Sequence, residues 1–379
     1  MMTLNDVLKP YKYFTLASEA DGENILKFFR EITMDMKSFK VRFDRGNDFF
    51  QFCHEQGKKA FIFVIKDDSG KITGTGSIAL VDHFLDGKKA TCAYLGDLRI
   101  SPKANPKIRI HWKKFYGDLI ENFDNIEEFK GIKFLYTAIL DENQNALRSL
   151  LKNNEQFHYH ELSSYKAVNV FIKKPFARIK SQFKIISSSD QEVTSFLSEV
   201  KNHYGFQPNY STEEDSELFR RKKSWKNFHF KDFLTIKNAK GKIVATALPR
   251  VFESKKLVVE EMTPSFKLLA QALPLVGIPK VLDGEPINIM YLTHLTFSEE
   301  LSSLEKTECL NLILNELLSR RNEHHFHFIS YFEFPQWKLS PIPFFTQATP
   351  AKLYQVLKFK SPEPFDLKNN APAFEIGIS

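Results

Sequence analysis

The strongest constraint on how this chain folds is that part of it occurs twice. Ile65-Lys66 leads through Gly70-Lys71-Ile72 to Thr75, and Ile236-Lys237 leads through Gly241-Lys242-Ile243 to Thr246. The pattern Ile-Lys-x3-Gly-Lys-Ile-x2-Thr therefore recurs at an offset of 236 − 65 = 171. The flanks 61–65 and 233–236 are rich in β-branched and aromatic residues, and the polar turn between the strands contains Gly, so each copy predicts a hairpin. A second match follows at an offset of 291 − 94 = 197: Tyr94-Leu95-x-x-Leu98-x-Ile100-Ser101 against Tyr291-Leu292-x-x-Leu295-x-Phe297-Ser298. The starts correspond as well, because 13–18 and 183–188 each read as a strand entering a polar turn and then an amphipathic stretch. Three matches in the same order predict a tandem duplication. The expected organisation is a domain over 1–174, a linker at 175–182, a second domain over 183–360 and an extended tail at 361–379.

Within the first half, strand patterns are expected at 14–17, 60–65, 73–81, 91–100, 134–140 and 167–172. Helical patterns are expected at 22–38, 107–122 and 143–153. Strands and helices mixed in this order make each half an α/β (α+β mixed sheet) unit, with a mostly antiparallel sheet flanked by helices.

The 53 basic and 46 acidic residues give 53 − 46 = +7, spread over both halves and broken into short runs such as Arg220-Arg221-Lys222-Lys223. Nucleic acid is not indicated. Cys53, Cys92 and Cys309 form no Cys-x-x-Cys and no even-numbered disulfide framework, which fits a reducing compartment. No run of about 18 apolar residues is present, and the N-terminus lacks an apolar leader core, so the expectation is a cytoplasmic protein with no membrane partner. His158-x-His160 and His324-His325-x-His327 lack a third ligand nearby, and no metal is expected. The Gly-x-Ser-x-Gly, Gly-x4-Gly-Lys-Ser/Thr and His-Glu-x2-His signatures are absent, which removes the usual support for a hydrolase or an NTPase.

Two segments carry a resemblance. Leu98-Arg99-Ile100-Ser101-Pro102 looks like the fourth strand and its exit in the GNAT superfamily of acyl-CoA-dependent N-acetyltransferases. Asn143-Gln144-Asn145-Ala146-Leu147-Arg148-Ser149-Leu150 is similar to that family's Asn-x-x-Ala-x-x-Leu-Tyr segment. The resemblance implies two tandem GNAT-like domains, an acetyl-CoA co-substrate and an amine-bearing acceptor of unspecified size. It places the cofactor against the backbones of Leu98 and Ile100 and near Asn143, a residue that also suits a helix N-cap.

The family's Arg/Gln-x-x-Gly-x-Gly/Ala phosphate loop is altered here to Asn105-Pro106-Lys107-Ile108-Arg109-Ile110. Both glycines are missing and Pro106 removes one amide donor. Lys103, Lys107 and Arg109 are then the candidates for phosphate contact through side-chain charge. In the second half the corresponding helix start, 298–305, is acidic and unsuited to an anionic cofactor.

Acyl transfer to an amine needs a proton acceptor and a donor for the leaving thiolate. Asp97, two residues from Arg99 on one strand face, is the candidate base. The family's donor Tyr is replaced by Leu150, which leaves Tyr116 and Tyr136 as candidates, with Tyr94 a further one. The leading expectation is an N-acetyltransferase with its site in the first half. The alternative is a non-catalytic binding or scaffold protein on a degenerate GNAT fold. A third reading, transfer from aminoacyl-tRNA, requires a continuous basic face joining the halves.

Overall fold

In the computed structural model, residues 1–35, 39–132, 134–151, 156–200, 204–359, 363–367 and 370–375 are described. The first half supplies β1 (Phe14–Leu16), β2 (Thr33–Asp35), β3 (Phe39–Asp44), β4 (Lys59–Lys66), β5 (Ile72–Leu85), β6 (Lys88–Ile100), β7 (Phe134–Leu140) and β8 (Phe157–Lys173). The second supplies β9 (Lys184–Ile185), β10 (Phe206–Pro208), β11 (Leu234–Lys237), β12 (Ile243–Arg250), β13 (Lys256–Met262), β14 (Pro286–Ile287), β15 (Ile289–Phe297), β16 (Phe328–Glu333) and β17 (Phe344–Lys358). The helices are α1 (Leu4–Leu8), α2 (Gly22–Glu31), α3 (Phe49–Gln56), α4 (Pro106–Glu121), α5 (Gln144–Leu150), α6 (Asp190–Glu199), α7 (Glu217–Ser224), α8 (Pro264–Ala272), α9 (Ser303–Ser319) and α10 (Arg321–His324).

The duplicated hairpin turns are one loop made twice. Asp67 and Asn238, 171 apart, each accept amide hydrogen bonds at their Oδ1 from inside their own turns, Asp67 from Ser69 and Lys71 and Asn238 from Lys240 and Lys242. Gly70 and Gly241 sit at φ +83° and +78°, a conformation that costs glycine nothing and a β-branched residue a great deal.

One thirteen-stranded sheet runs β1-β4-β5-β6-β7-β17-β8-β16-β15-β12-β11-β9, with β10 paired to β5. The two halves therefore exchange their last strands. β17 lies between β7 and β8, and β8 pairs with β16 on its other side. A smaller sheet, β14-β13-β3-β2, also mixes the halves. α1 and α4 cover one face of the first-half sheet, burying Leu95, Ile78 and Leu135 against Ile108, Trp112 and Phe115. α2 and α3 pack Phe29, Phe49 and Cys53 against Ile62 and Val64 on the other face.

The helix expected over 22–38 stops at Glu31, where Ile32 leaves helical geometry (φ −99°, ψ 115°) and β2 begins; Ser38 lies outside the described residues. β-branched Ile32 and Thr33 favour that exit. The helix expected over 143–153 ends at Leu150, and Asn153 is outside the described residues. The strand expected at 167–172 extends from 157 to 173, because it is paired along both edges. Among the described residues no helix is long and apolar enough to cross a membrane.

The exchange carries a prediction. A chain of residues 1–174 lacks β17, so the facing edges of β7 and β8 lose their hydrogen-bonding partner. Expressed alone, it should show no cooperative thermal transition. A sharp transition for 1–174 alone would mean that the exchange contributes little.

Candidate functional site

Parallel pairing of β6 with β7 runs from Cys92–Phe134 to Tyr94–Tyr136 and stops. Just beyond, β6 bulges: Thr75 faces Arg99 while Ser77 faces Gly96, so two residues of β6, Asp97 and Leu98, stand against Gly76 alone. Asp97 carries the bulge at φ +48°, in the left-handed region that Asp tolerates better than most side chains. Backbone pairing opens between β6 and β7 beside this bulge, bridged at its start by Thr137 Oγ1, which donates to Leu95 O at 2.7 Å. The second half repeats the opening and the bulge. β15 pairs β16 only to Tyr291–Ser330, and His294, 197 residues after Asp97, has φ +53° in the bulge opposite Ala247.

At the first opening, Asp97 Oδ1 accepts from Arg45 Nη2 at 2.5 Å, both side chains being almost fully buried (7% and 3% exposed). Among the described residues, Asp97 Oδ2 has no hydrogen-bond partner, nor do Arg45 Nε and Arg99 Nε. Arg45 stacks on Phe52 at 3.7 Å from the ring centroid, and Arg99 on Phe43 at 4.2 Å. Burial lowers the Arg99 guanidinium to about 10. Lys255, from the β12–β13 turn, lies over the Tyr291 ring, and burial followed by the Arg45 charge lowers its ammonium to about 7. Sequence reasoning missed Arg45 and Lys255, which reach the bulge from loops 52 and 158 positions away.

The structure gathers some of the expected residues and separates others. Tyr136 faces Tyr94, His83, Phe206 and Phe374, and burial holds its hydroxyl well above its usual range. Tyr116 lies on the opposite sheet face in the α4 core, where its hydroxyl hydrogen-bonds that of Tyr159 at 3.0 Å. Tyr116 and Tyr136 therefore do not face one centre. Leu98, 38% exposed, and Ile100 continue β6 past the end of its pairing with β7.

Asn105 caps α4, its Oδ1 accepting from the Lys107 amide. The Ile108 amide is taken by Asn105 O, that of Lys103 by Ser101 Oγ and that of Ala104 by Ser101 O. With those donors satisfied, no amide nest for a diphosphate is formed there; the exposed side chains of Lys103, Lys107 and Arg109 remain, Arg109 donating to Pro102 O. Asn143 caps α5 through the Ala146 amide.

At the second opening, Glu375 fills the space beside the bulge. Its carboxylate accepts from the His294 amide at 2.9 Å, from the Tyr210 hydroxyl and from Arg221 Nη1. Arg221 Nη1 also donates to His294 Nε2 at 3.1 Å. Residues Ala371–Glu375 thus wrap back onto the body, with the Ala373 amide bonded to Phe206 O and the Phe374 ring stacked on Phe332.

The large mixed sheet flanked by helices, with a bulged strand in each half, has the GNAT fold of the solved structures that it matches. The chain superimposes on a Saccharomyces cerevisiae N-myristoyltransferase solved with bound myristoyl-CoA and inhibitors, with TM-score 0.57 and 9% identity over 96% of this chain and 87% of that one. A GCN5-related glucosamine N-acetyltransferase region of a fungal multi-domain β-N-acetylglucosaminidase matches with TM-score 0.54 and 10% identity, over 90% of this chain and 38% of that one. No family model and no curated protein sequence matches the chain.

Proposed function

We propose that this protein is an acyl-CoA-dependent N-acyltransferase whose site is the opening between β6 and β7. The observation that carries the reading is the end of parallel pairing at Tyr94 and Tyr136 directly beside the left-handed bulge at Asp97. An exposed strand edge there, at Leu98 and Ile100, suits the amide-bearing arm of CoA. Diphosphate contact then rests on Lys103, Lys107 and Arg109 as point charges, because the loop amides are already engaged.

In the reaction the amine nitrogen attacks the thioester carbonyl, the C–S bond breaks, and the proton lost by the amine is balanced by the one gained at the thiolate. Asp97 Oδ2, which has no hydrogen-bond partner among the described residues, is the base that takes the proton from the attacking amine. Tyr136 keeps its proton in this environment and is the donor candidate for the thiolate. Tyr116 has no part in this reading.

The test is the melting temperature of the protein with acetyl-CoA, myristoyl-CoA and free CoA. A ligand at 100 times its dissociation constant should stabilise by about 2.7 kcal/mol. The compound giving the largest shift fixes the acyl length, acetyl being the first expectation. Lys107→Ala with Arg109→Ala should weaken all three. No shift with any of them would leave the non-catalytic binding protein as the better reading.

A further inference from the structure

Around the β6 bulge, positive charge outnumbers negative. Arg45, Arg99 and Lys255 interact with one another and with Asp97, and the next carboxylate, Glu55, is shared between Arg250 and Arg45. Arg250 also feels Asp232, so at the bulge itself the guanidinium groups of Arg45 and Arg99 share Asp97 and part of Glu55 among the described residues. Burying charge without a counter-charge costs several kcal/mol per ion, and the rings of Phe29, Phe43 and Phe52 around the guanidinium groups offset a part of it. Arg45 is 3% exposed and its Nε lacks a partner, as does the Nε of Arg99. Rigid, stacked guanidinium groups with unfilled donors are arranged to accept an anion.

We propose that this cationic cluster binds a carboxylate on the acyl acceptor, so that the acceptor is an amino acid or a similar small amine with a carboxylate close to its nitrogen. Arg45 holds both Asp97 and the cluster together, which places the anion site beside the carboxylate that takes the proton from the amine. An amine and an anion bound that close belong to one small molecule. The position of the amine rests on the acyl-transfer reading above; the anion site does not.

The test uses the full chain and two matched probes, N-acetylglycine and N-acetylglycinamide, which differ in the carboxylate, with inorganic phosphate as a third. N-acetylglycine should raise the melting temperature and N-acetylglycinamide should not. Arg99→Met keeps the side-chain volume and should weaken N-acetylglycine by about tenfold or more, as expected for losing a charge-assisted hydrogen bond. Arg99→Lys should retain part of the binding, and its melting curve checks the fold at this position. Equal shifts with the acid and the amide would overturn the proposal. So would a phosphate shift that Arg99→Met abolishes while the N-acetylglycine shift persists, because the site would then belong to a phosphate. A shift with acyl-CoA and none with N-acetylglycine removes the carboxylate site and leaves the transferase standing. The reverse pattern keeps the anion site and removes the transferase.

Discussion

Between pH 7.5 and pH 5 the protein should lose about 4 kcal/mol of unfolding free energy through His83 and His294 alone, buried histidines that refuse the proton the unfolded chain accepts, and buried His327, lowered in the same direction, adds to the loss. His83 stacks on Phe206 at 4.3 Å, and its Nδ1–H donates to Val81 O at 3.3 Å. His294 accepts at Nε2 from Arg221, which can only donate, so its Nδ1 carries the proton and points at Thr293 Oγ1 at 2.9 Å. Burial lowers both imidazoles to about 3; for His294 the Glu375 carboxylate opposes the shift and Arg221 adds to it.

The sign follows from proton counting. Below the ordinary histidine value of 6.5 the unfolded chain binds two protons at His83 and His294 that the folded chain does not, so stability is complete above 6.5 and falls as pH drops toward 3. Each histidine contributes about 1.4 kcal/mol per pH unit, and 1.5 units for two groups give about 4 kcal/mol. Glu55, raised by burial, binds its proton more readily in the folded state and offsets a fraction of this loss near pH 5. Urea titrations at the two pH values measure the difference. His83→Phe, which preserves the ring stack, should reduce the pH slope by about 1.4 kcal/mol per pH unit. An unchanged slope in that variant would show that His83 does not withhold a proton.

What the sequence discloses depends on whether a feature is written in adjacent residues. The hairpin turns are legible because a left-handed Gly and a preceding Asp or Asn within one short segment suffice to make them. The paired bulges are half legible. The offset of 197 aligns Asp97 with His294, but neither residue type announces φ > 0, and the bulge emerges only when β6 and β15 are held against β5 and β12. The strand exchange is invisible, since the alternation in β8 and β17 would be the same with either neighbour.

The proposed site divides the same way. Asp97, Arg99 and Tyr136 lie on strands whose register brings them to the opening. Arg45 and Lys255 come from connecting loops of opposite halves, and no local pattern relates them to Asp97. Pro106, which looked like a damaged phosphate loop, is also an ordinary first residue of a capped helix, and the hydrogen bonds of Asn105 and Ser101 show that this local role consumes the amides.

Glu375→Ala should destabilise the protein by about 3–5 kcal/mol, more than a typical core truncation, because it strands a charge rather than only leaving a cavity. Arg221 is fully buried, and its Nε and Nη2 already lack hydrogen-bond partners. Its nearest other carboxylate, Glu217, stands 3.9 Å from Nε and is itself held by Arg220 at 2.7 Å. Glu375 alone neutralises Nη1 while also satisfying the Tyr210 hydroxyl and the His294 bulge amide.

Removing the carboxylate leaves the Tyr210 hydroxyl and the His294 amide without this acceptor and Arg221 without its paired charge, while Arg221 Nη1 keeps Tyr210 Oη and His294 Nε2. The double substitution Arg221→Met with Glu375→Leu removes both charges and should recover much of the loss, since replacing a whole buried pair by apolar residues is often neutral or better. Glu375→Leu, Arg221→Met and the double variant form a cycle whose coupling energy, read from chemical unfolding, separates a true ion pair from two independent packing positions. A coupling near zero would mean that Glu375 anchors the tail by its backbone and by the stacking of Phe374 on Phe332, with the carboxylate incidental. A coupling of about 2 kcal/mol or more would make the carboxylate the lock that holds the tail against the second bulge, with Phe374 carried onto Tyr94 and Tyr136 beside the first.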